Sequence, residues 1–155
     1  MQLDRFSPPV LIRLLTLASA LVFTGLAHSD DYSDDNQLLK SGKGTEALAK
    51  ADKYLADKPK DPQMRFLKGV IQTQAGNTTE AIATFTALTQ DYPELPEPYN
   101  NLAALLAGQN QLDKARTALE MAVRLNPGYA IAHANLGDIY ARMANQSYAR
   151  AQQLE

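Results

Sequence analysis

One fixed period, shared by several residue types, constrains this chain more than any other feature of its sequence. Pro59, Pro93 and Pro127 are evenly spaced, and each closes a segment whose apolar residues recur at helical spacing. Ala47, Ala81, Ala115 and Ala149 follow the same step, as do Gly69, Ala103 and Gly137. Columns of different chemistry that share one period mark an array of supersecondary units, each too small to bury its apolar face alone. Such a pattern fixes the class of molecule and leaves its partner open.

Composition and charge narrow the function classes. With 155 residues and 45% hydrophobic content, the chain can build one packed domain of ordinary size. Its 15 basic and 17 acidic residues leave a net charge of -2, without a basic cluster dense enough to neutralise a run of phosphates, so no nucleic-acid partner is expected. The absence of cysteine removes disulfides, thiolate nucleophiles and zinc–cysteine sites together. Of the two histidines, His28 sits near the N-terminus and His133 falls within an apolar helical stripe, where it is expected to be buried or half-buried. There is no histidine–glutamate metal spacing, glycine-rich phosphate loop or serine elbow. The sequence therefore predicts no catalytic residues, no metal and no cofactor.

The segment from Met1 to Ala27 points to export. Arg5 and Arg13 precede an apolar run over residues 14–27, and small residues follow at Gly25-Leu26-Ala27 and at Ala27-His28-Ser29, as in a secretory signal peptide cleaved after Ala27 or Ser29. A retained membrane anchor fits less well, because such a run makes a helix of roughly 21 Å against a hydrocarbon core of about 30 Å. The expectation is an exported protein, periplasmic, with no stable membrane insertion after cleavage. Residues 28–36 follow as an acidic flexible tail. Its Asp30-Asp31-Tyr32-Ser33-Asp34-Asp35 lacks the central glycine and distal glutamate of a calcium loop.

Helical units occupy the rest. Residues 37–61 form a degenerate leading unit: Leu38 and Leu39 begin a short helix, Ser41-Gly42-Lys43-Gly44 stops it, and Thr45 is placed to cap a helix through Ala47, Leu48, Ala51, Tyr54 and Leu55. In residues 62–95, Pro62 opens a helix carrying Phe66, Leu67, Val70 and Ile71, and Gly76 stops it. Asn77, with Glu80 as reciprocal partner, is placed to cap a second helix bearing Ala81, Ile82, Phe85 and Leu88. Residues 96–129 repeat the plan, with a turn at Gly108-Gln109-Asn110. Residues 130–155 begin again with Ile131, His133, Leu136 and Tyr140, are expected to turn at Ala144-Asn145, and re-enter a helix at Tyr148, Ala149 and Ala151 as an incomplete unit or terminal cap. The expected fold is all-α: an antiparallel helix-pair solenoid of about three to three and a half units. Small residues at Gly69, Ala103 and Gly137 would let the opposing alanines Ala81, Ala115 and Ala149 approach closely.

These residues resemble the tetratricopeptide repeat family. Tyr99-Leu102-Ala103 and His133-Leu136-Gly137-Tyr140 match the first half of its pattern; Ala81-Phe85-Pro93 and Ala115-Leu119-Pro127 match the second. The likeness extends from about Asn36 to Glu155, with departures at Lys68, Gln72 and His133. It implies a concave surface lined by the first helix of each unit, where the family binds protein segments.

Placed on that surface by the resemblance, the candidate binding residues are Phe66, Val70 and Thr73 in one unit and Asn100, Asn101 and Ala104 in the next. Asn135, Asp138 and Arg142 continue them in the last. Two readings stand for Phe66 and Val70, which either line the groove or pack on the leading unit. Asn101 and Asn135 either face a ligand, exchanging hydrogen bonds with an extended peptide, or serve the geometry of their helices. The lysine–arginine grip that chaperone-binding members use on a peptide's terminal carboxylate is not carried over, because Phe66, Val70 and Ile131 occupy its places. The resemblance thus implies an exported, non-catalytic scaffold that binds a peptide or protein segment in the bacterial cell envelope. The alternatives are a self-assembling module that packs through its last helix and, as a minor one, the non-catalytic N-terminal part of a longer envelope enzyme.

Overall fold

The computed structural model describes residues 41–154, all of whose regular structure is α-helix. The signal segment, the acidic tail and the short helix expected at Leu38 and Leu39 lie outside the described residues. Six helices follow one another: α1 (Gly44–Asp57), α2 (Pro62–Gln74), α3 (Thr78–Asp91), α4 (Pro96–Gly108), α5 (Leu112–Leu125) and α6 (Ala130–Gln152). Each packs on the next, and α4 also touches α6. The architecture is a helix-pair solenoid of about three units, with α1 closing the leading unit, α2–α3 and α4–α5 forming complete pairs, and α6 beginning another.

Local chemistry explains the helix starts. Pro62 and Pro96 stand in the first turns of α2 and α4, where a missing N–H leaves no bond unmade. Asp61 caps α2 by accepting from the Met64 N–H at 2.9 Å, and its other oxygen accepts from the Tyr54 hydroxyl at 3.0 Å, which ties the cap to α1. Two expected caps are not made. α1 starts at Gly44 after Lys43, so Thr45 lies inside the helix, and Asn77 precedes α3 without any side-chain cap bond. At Asn77 the backbone is already engaged: its N–H donates to the Gln72 carbonyl at 2.9 Å, while the Gly76 N–H donates to the Thr73 carbonyl at 3.1 Å. This paired closure requires a left-handed residue at Gly76, whose φ is 78°. The same two bonds close α4, from Gln111 to Leu106 and from Asn110 to Ala107, with Asn110 at φ 59°.

Left-handed residues therefore recur with the repeat. Gly42, Gly76 and Asn110 have φ of 76°, 78° and 59° and are spaced by the same step as the prolines. The next member of this column is Ala144. A Cβ makes the left-handed conformation unfavourable by roughly 1–2 kcal/mol, which glycine avoids and asparagine offsets by local bonding, and alanine is the strongest helix former. α6 accordingly runs through the position without a break for 23 residues. The turn expected at Ala144-Asn145 does not form, and Tyr148, Ala149 and Ala151 continue the same helix.

Two clusters make the core. The smaller joins Ala47 and Ala51 of α1 to Met64, Leu67 and Ile71 of α2. The larger is centred on Phe85, Leu88, Leu102, Leu106 and Leu119 and reaches Ile139 of α6. Ala47, Ala81 and Ala115 are fully buried, as close helix approach demands, whereas Ala149 is exposed. Gly69 lies against the ring of Phe85 and not against the alanine column: an added Cβ would come within 2.7 Å of the ring. Phe85 also meets Phe66 edge to face, with ring centroids 5.6 Å apart. Gly137, expected to allow the same approach, is exposed and has nothing within 4 Å of an added Cβ. Two departures from the family pattern have found partners. Gln72 is buried and accepts from Thr84 at 2.7 Å, and Lys68 pairs with Asp52 of α1 at 2.6 Å.

Candidate functional site

First helices α2, α4 and α6 carry all nine residues predicted to line a binding surface. On α2, Phe66 and Val70 join the larger core cluster, so they pack toward α3 and not toward the leading unit. Thr73 turns its hydroxyl back to the Gly69 carbonyl at 2.8 Å. On α4, Asn100 and Asn101 are buried and Ala104 is half-buried. The Asn101 amide donates to the Glu97 carbonyl one turn earlier, at 3.0 Å, a bond that serves the helix itself.

The contact that joins two units is made by Asn135. Its amide donates to Asn100 Oδ1 at 2.9 Å, across the seam between α4 and α6. Asn135 Oδ1 is buried and has no hydrogen-bond partner. An unpaired amide oxygen in a low-dielectric site is unfavourable by about 1–3 kcal/mol. Asp138, next along α6, is half-buried. Arg142 and Gln146 both donate to Asn110 Oδ1, at 3.4 and 3.3 Å, and so hold α6 against the turn that closes α4. The predicted residues thus meet at one place, where Asn100 and Asn135 touch, while Phe66 is engaged with Phe85 and Arg142 with Asn110.

His133 departs from expectation. It is exposed, its Nε2 lying 2.9 Å from the Pro127 carbonyl, and no described helix covers it. Nearby, Tyr129 has its hydroxyl pKa raised to about 12 by burial and, secondarily, by the charge of Glu97. The Tyr140 hydroxyl donates to Glu120 at 3.1 Å, and this bond holds its proton and raises its pKa. No described helix is long and apolar enough to cross a membrane, and the described residues hold no cluster of three or more histidine or acidic side chains suited to a metal.

Sequence reasoning missed a concavity among the described residues. A groove of about 580 Å³ runs between α3 and α5 over α4, with Ile82, Tyr99, Leu102, Leu106, Ala118 and Met121 among its walls and Gln109, Gln111 and Lys114 at its edge. None of the nine predicted residues lines it. Its signal lay in positions that periodicity assigns to the core, where residues such as Ile82 and Tyr99 are only partly covered.

Sequence models of the tetratricopeptide repeat match residues 72–139 and 36–96. A TPR repeat-containing thioredoxin, TTL4 of Arabidopsis thaliana, is 30% identical over 137 residues, which is 88% of this chain and 19% of that protein. The chain spans about a fifth of the length of the curated relatives it matches. Among solved structures, the first TPR domain of human RPAP3 superposes with a TM-score of 0.70 at 18% identity, covering 76% of this chain and 93% of that one. The Yersinia enterocolitica type III secretion chaperone SycD, in complex with a peptide of the translocator YopD, superposes at 0.67 with 17% identity, covering 74% and 92%. Two family matches that together run from residue 36 to residue 139, on a helix-pair solenoid whose columns of proline, alanine and glycine keep one period, place this chain in the tetratricopeptide repeat family.

Proposed function

We propose that this chain is a non-catalytic scaffold that binds an extended peptide or protein segment along the face formed by α2, α4 and α6, and that it works as an exported protein in the bacterial cell envelope, in the periplasm. The observation that carries the binding reading is the seam between α4 and α6. There Asn135 and Asn100 lock two first helices into one surface. Peptide capture by SycD lends support by fold alone. Export rests on the signal-like segment from Met1 to Ala27.

The binding surface is tested by panning a displayed random-peptide library against the chain and against Ala104→Glu/Ala141→Glu, which places two charges on α4 and α6 without touching the buried amides. Enriched peptides should bind the parent at least tenfold more tightly than the variant, while circular dichroism shows equal helix content. Equal binding by both proteins would remove this face from the proposal. Export is tested separately, by fractionating cells that express the full chain and asking whether a shortened form appears in the periplasm.

A further inference from the structure

The three large hydrophobic side chains that stand exposed among the described residues all belong to one end of the molecule. Tyr140 is 48% exposed, Tyr148 70% and Leu154 83%. Tyr140, Ala144, Tyr148 and Ala151 follow one another at steps of four, four and three along α6, which puts them on a single stripe. This stripe is separate from the seam between α4 and α6.

The repeat register says what should cover it. In the α2–α3 pair, Gly69 receives the Phe85 ring and Gln72 receives Thr84. The counterparts on α6 are Gly137 and Tyr140, and the segment that would deliver their partners is residues 145–153, which carries Ala149 in the buried-alanine column. In this chain that segment is the straight continuation of α6, because Ala144 stands where Gly76 and Asn110 turn. Each copy therefore presents an empty first-helix face together with a displaced second helix of the kind that fills it.

From this we infer that two copies exchange these segments, residues 145–153 of each lying on the Gly137–Tyr140 face of the other. The exchange is reciprocal and closes as a twofold dimer. Ala144 is the device that makes it, by keeping the segment from turning back on its own chain.

The chain has no cysteine, so the exchange can be read by disulfide trapping in the full-length protein. Within one straight α6, residues 140 and 152 are about 18 Å apart, too far to link. Across an exchanged dimer they are the register counterparts of Gln72 and Thr84, which touch. Mixing Tyr140→Cys with Gln152→Cys under mild oxidation should give a covalent dimer containing one copy of each, with either variant alone giving at least tenfold less. The double variant in one chain should link between chains. An internal link there, or no mixed dimer, would overturn the inference. Sedimentation supplies a readout free of substitutions at the contact: the unmodified chain should be a dimer and Ala144→Gly should shift it toward monomer. A strictly monomeric parent, or a dimer unmoved by Ala144→Gly, would equally overturn it, leaving a different protein as the occupant of the stripe.

Discussion

In the α2–α3 pair, Gly69 lies beneath the buried ring of Phe85, Ala81 is fully buried, and the chain turns between the helices through Gly76 at φ 78°. In α6 the same register places Gly137 in the open, Ala149 in solvent, and Ala144 within an unbroken helix. The two regions share a period and differ at the residue that must go left-handed. One backbone position thus separates a closed helix pair from an extended helix, even though both carry the small residues that close packing needs. Small residues permit an approach; a turn has to bring it about.

Substitutions at paired positions probe this contrast within one copy, each read by thermal or urea unfolding at a protein concentration where sedimentation shows monomer. The largest difference is expected for Phe85→Ala, which empties a buried site touching Gly69 and Phe66 and should destabilise by about 3–5 kcal/mol, whereas Gln153→Ala, its exposed counterpart two units on, should stay within about 0.5 kcal/mol. Ala115→Leu should overpack the α4–α5 contact at a cost of roughly 1–3 kcal/mol, while Ala149→Leu should be nearly neutral. If both alanines respond alike, the contrast fails.

The glycines should differ in sign. Gly69→Ala forces a Cβ against the Phe85 ring and should destabilise by about 1–3 kcal/mol. Gly137→Ala meets nothing and lies in a helix interior, so it should stabilise by roughly 0.5–1 kcal/mol. A smaller loss, about 1 kcal/mol, is expected for Gly76→Ala, which must hold a Cβ in the left-handed region. A pH effect is expected at the entry to α6. Tyr129 has a folded pKa of about 12, above the ordinary value of 10.0, so folding holds its proton more tightly than the unfolded chain does. That contribution is complete below pH 10 and is lost as pH rises toward 12. Stability of the parent should fall over this window more steeply than that of Tyr129→Phe; parallel curves would show that the hydroxyl does not carry the effect.

Much of the array is legible from residues alone. Pro62 and Pro96 mark helix starts and Gly76 and Gly108-Gln109-Asn110 mark turns, because proline, glycine and asparagine act through backbone geometry that is local. The caps expected from Thr45 and Asn77 were less secure. At Asn77 the Gln72 carbonyl engages the backbone N–H on which the reciprocal bond to Glu80 depends, so that half of the expected pair has no donor. Among the candidate binding residues, position on the first helices follows from the repeat, but the use of each amide does not. Asn101 turns to its own helix at Glu97, and Asn135 crosses to Asn100. Sequence spacing puts both asparagines in one column and cannot tell which has a neighbour within reach.

The sequence by itself determined the class: a shared period of proline, alanine and glycine admits a helix-pair array, since each of those residues restricts or frees the backbone at a set place in every unit. It even contained the break, in Ala144 at the end of a column otherwise occupied by Gly42, Gly76 and Asn110, although only the φ angles make that column visible. Tertiary structure alone decided which small residues are used. Whether a glycine is filled, as Gly69 is by Phe85, or left open, as Gly137 is, depends on a second helix arriving, and an arrival is a property of the chain's path through space rather than of any residue in it.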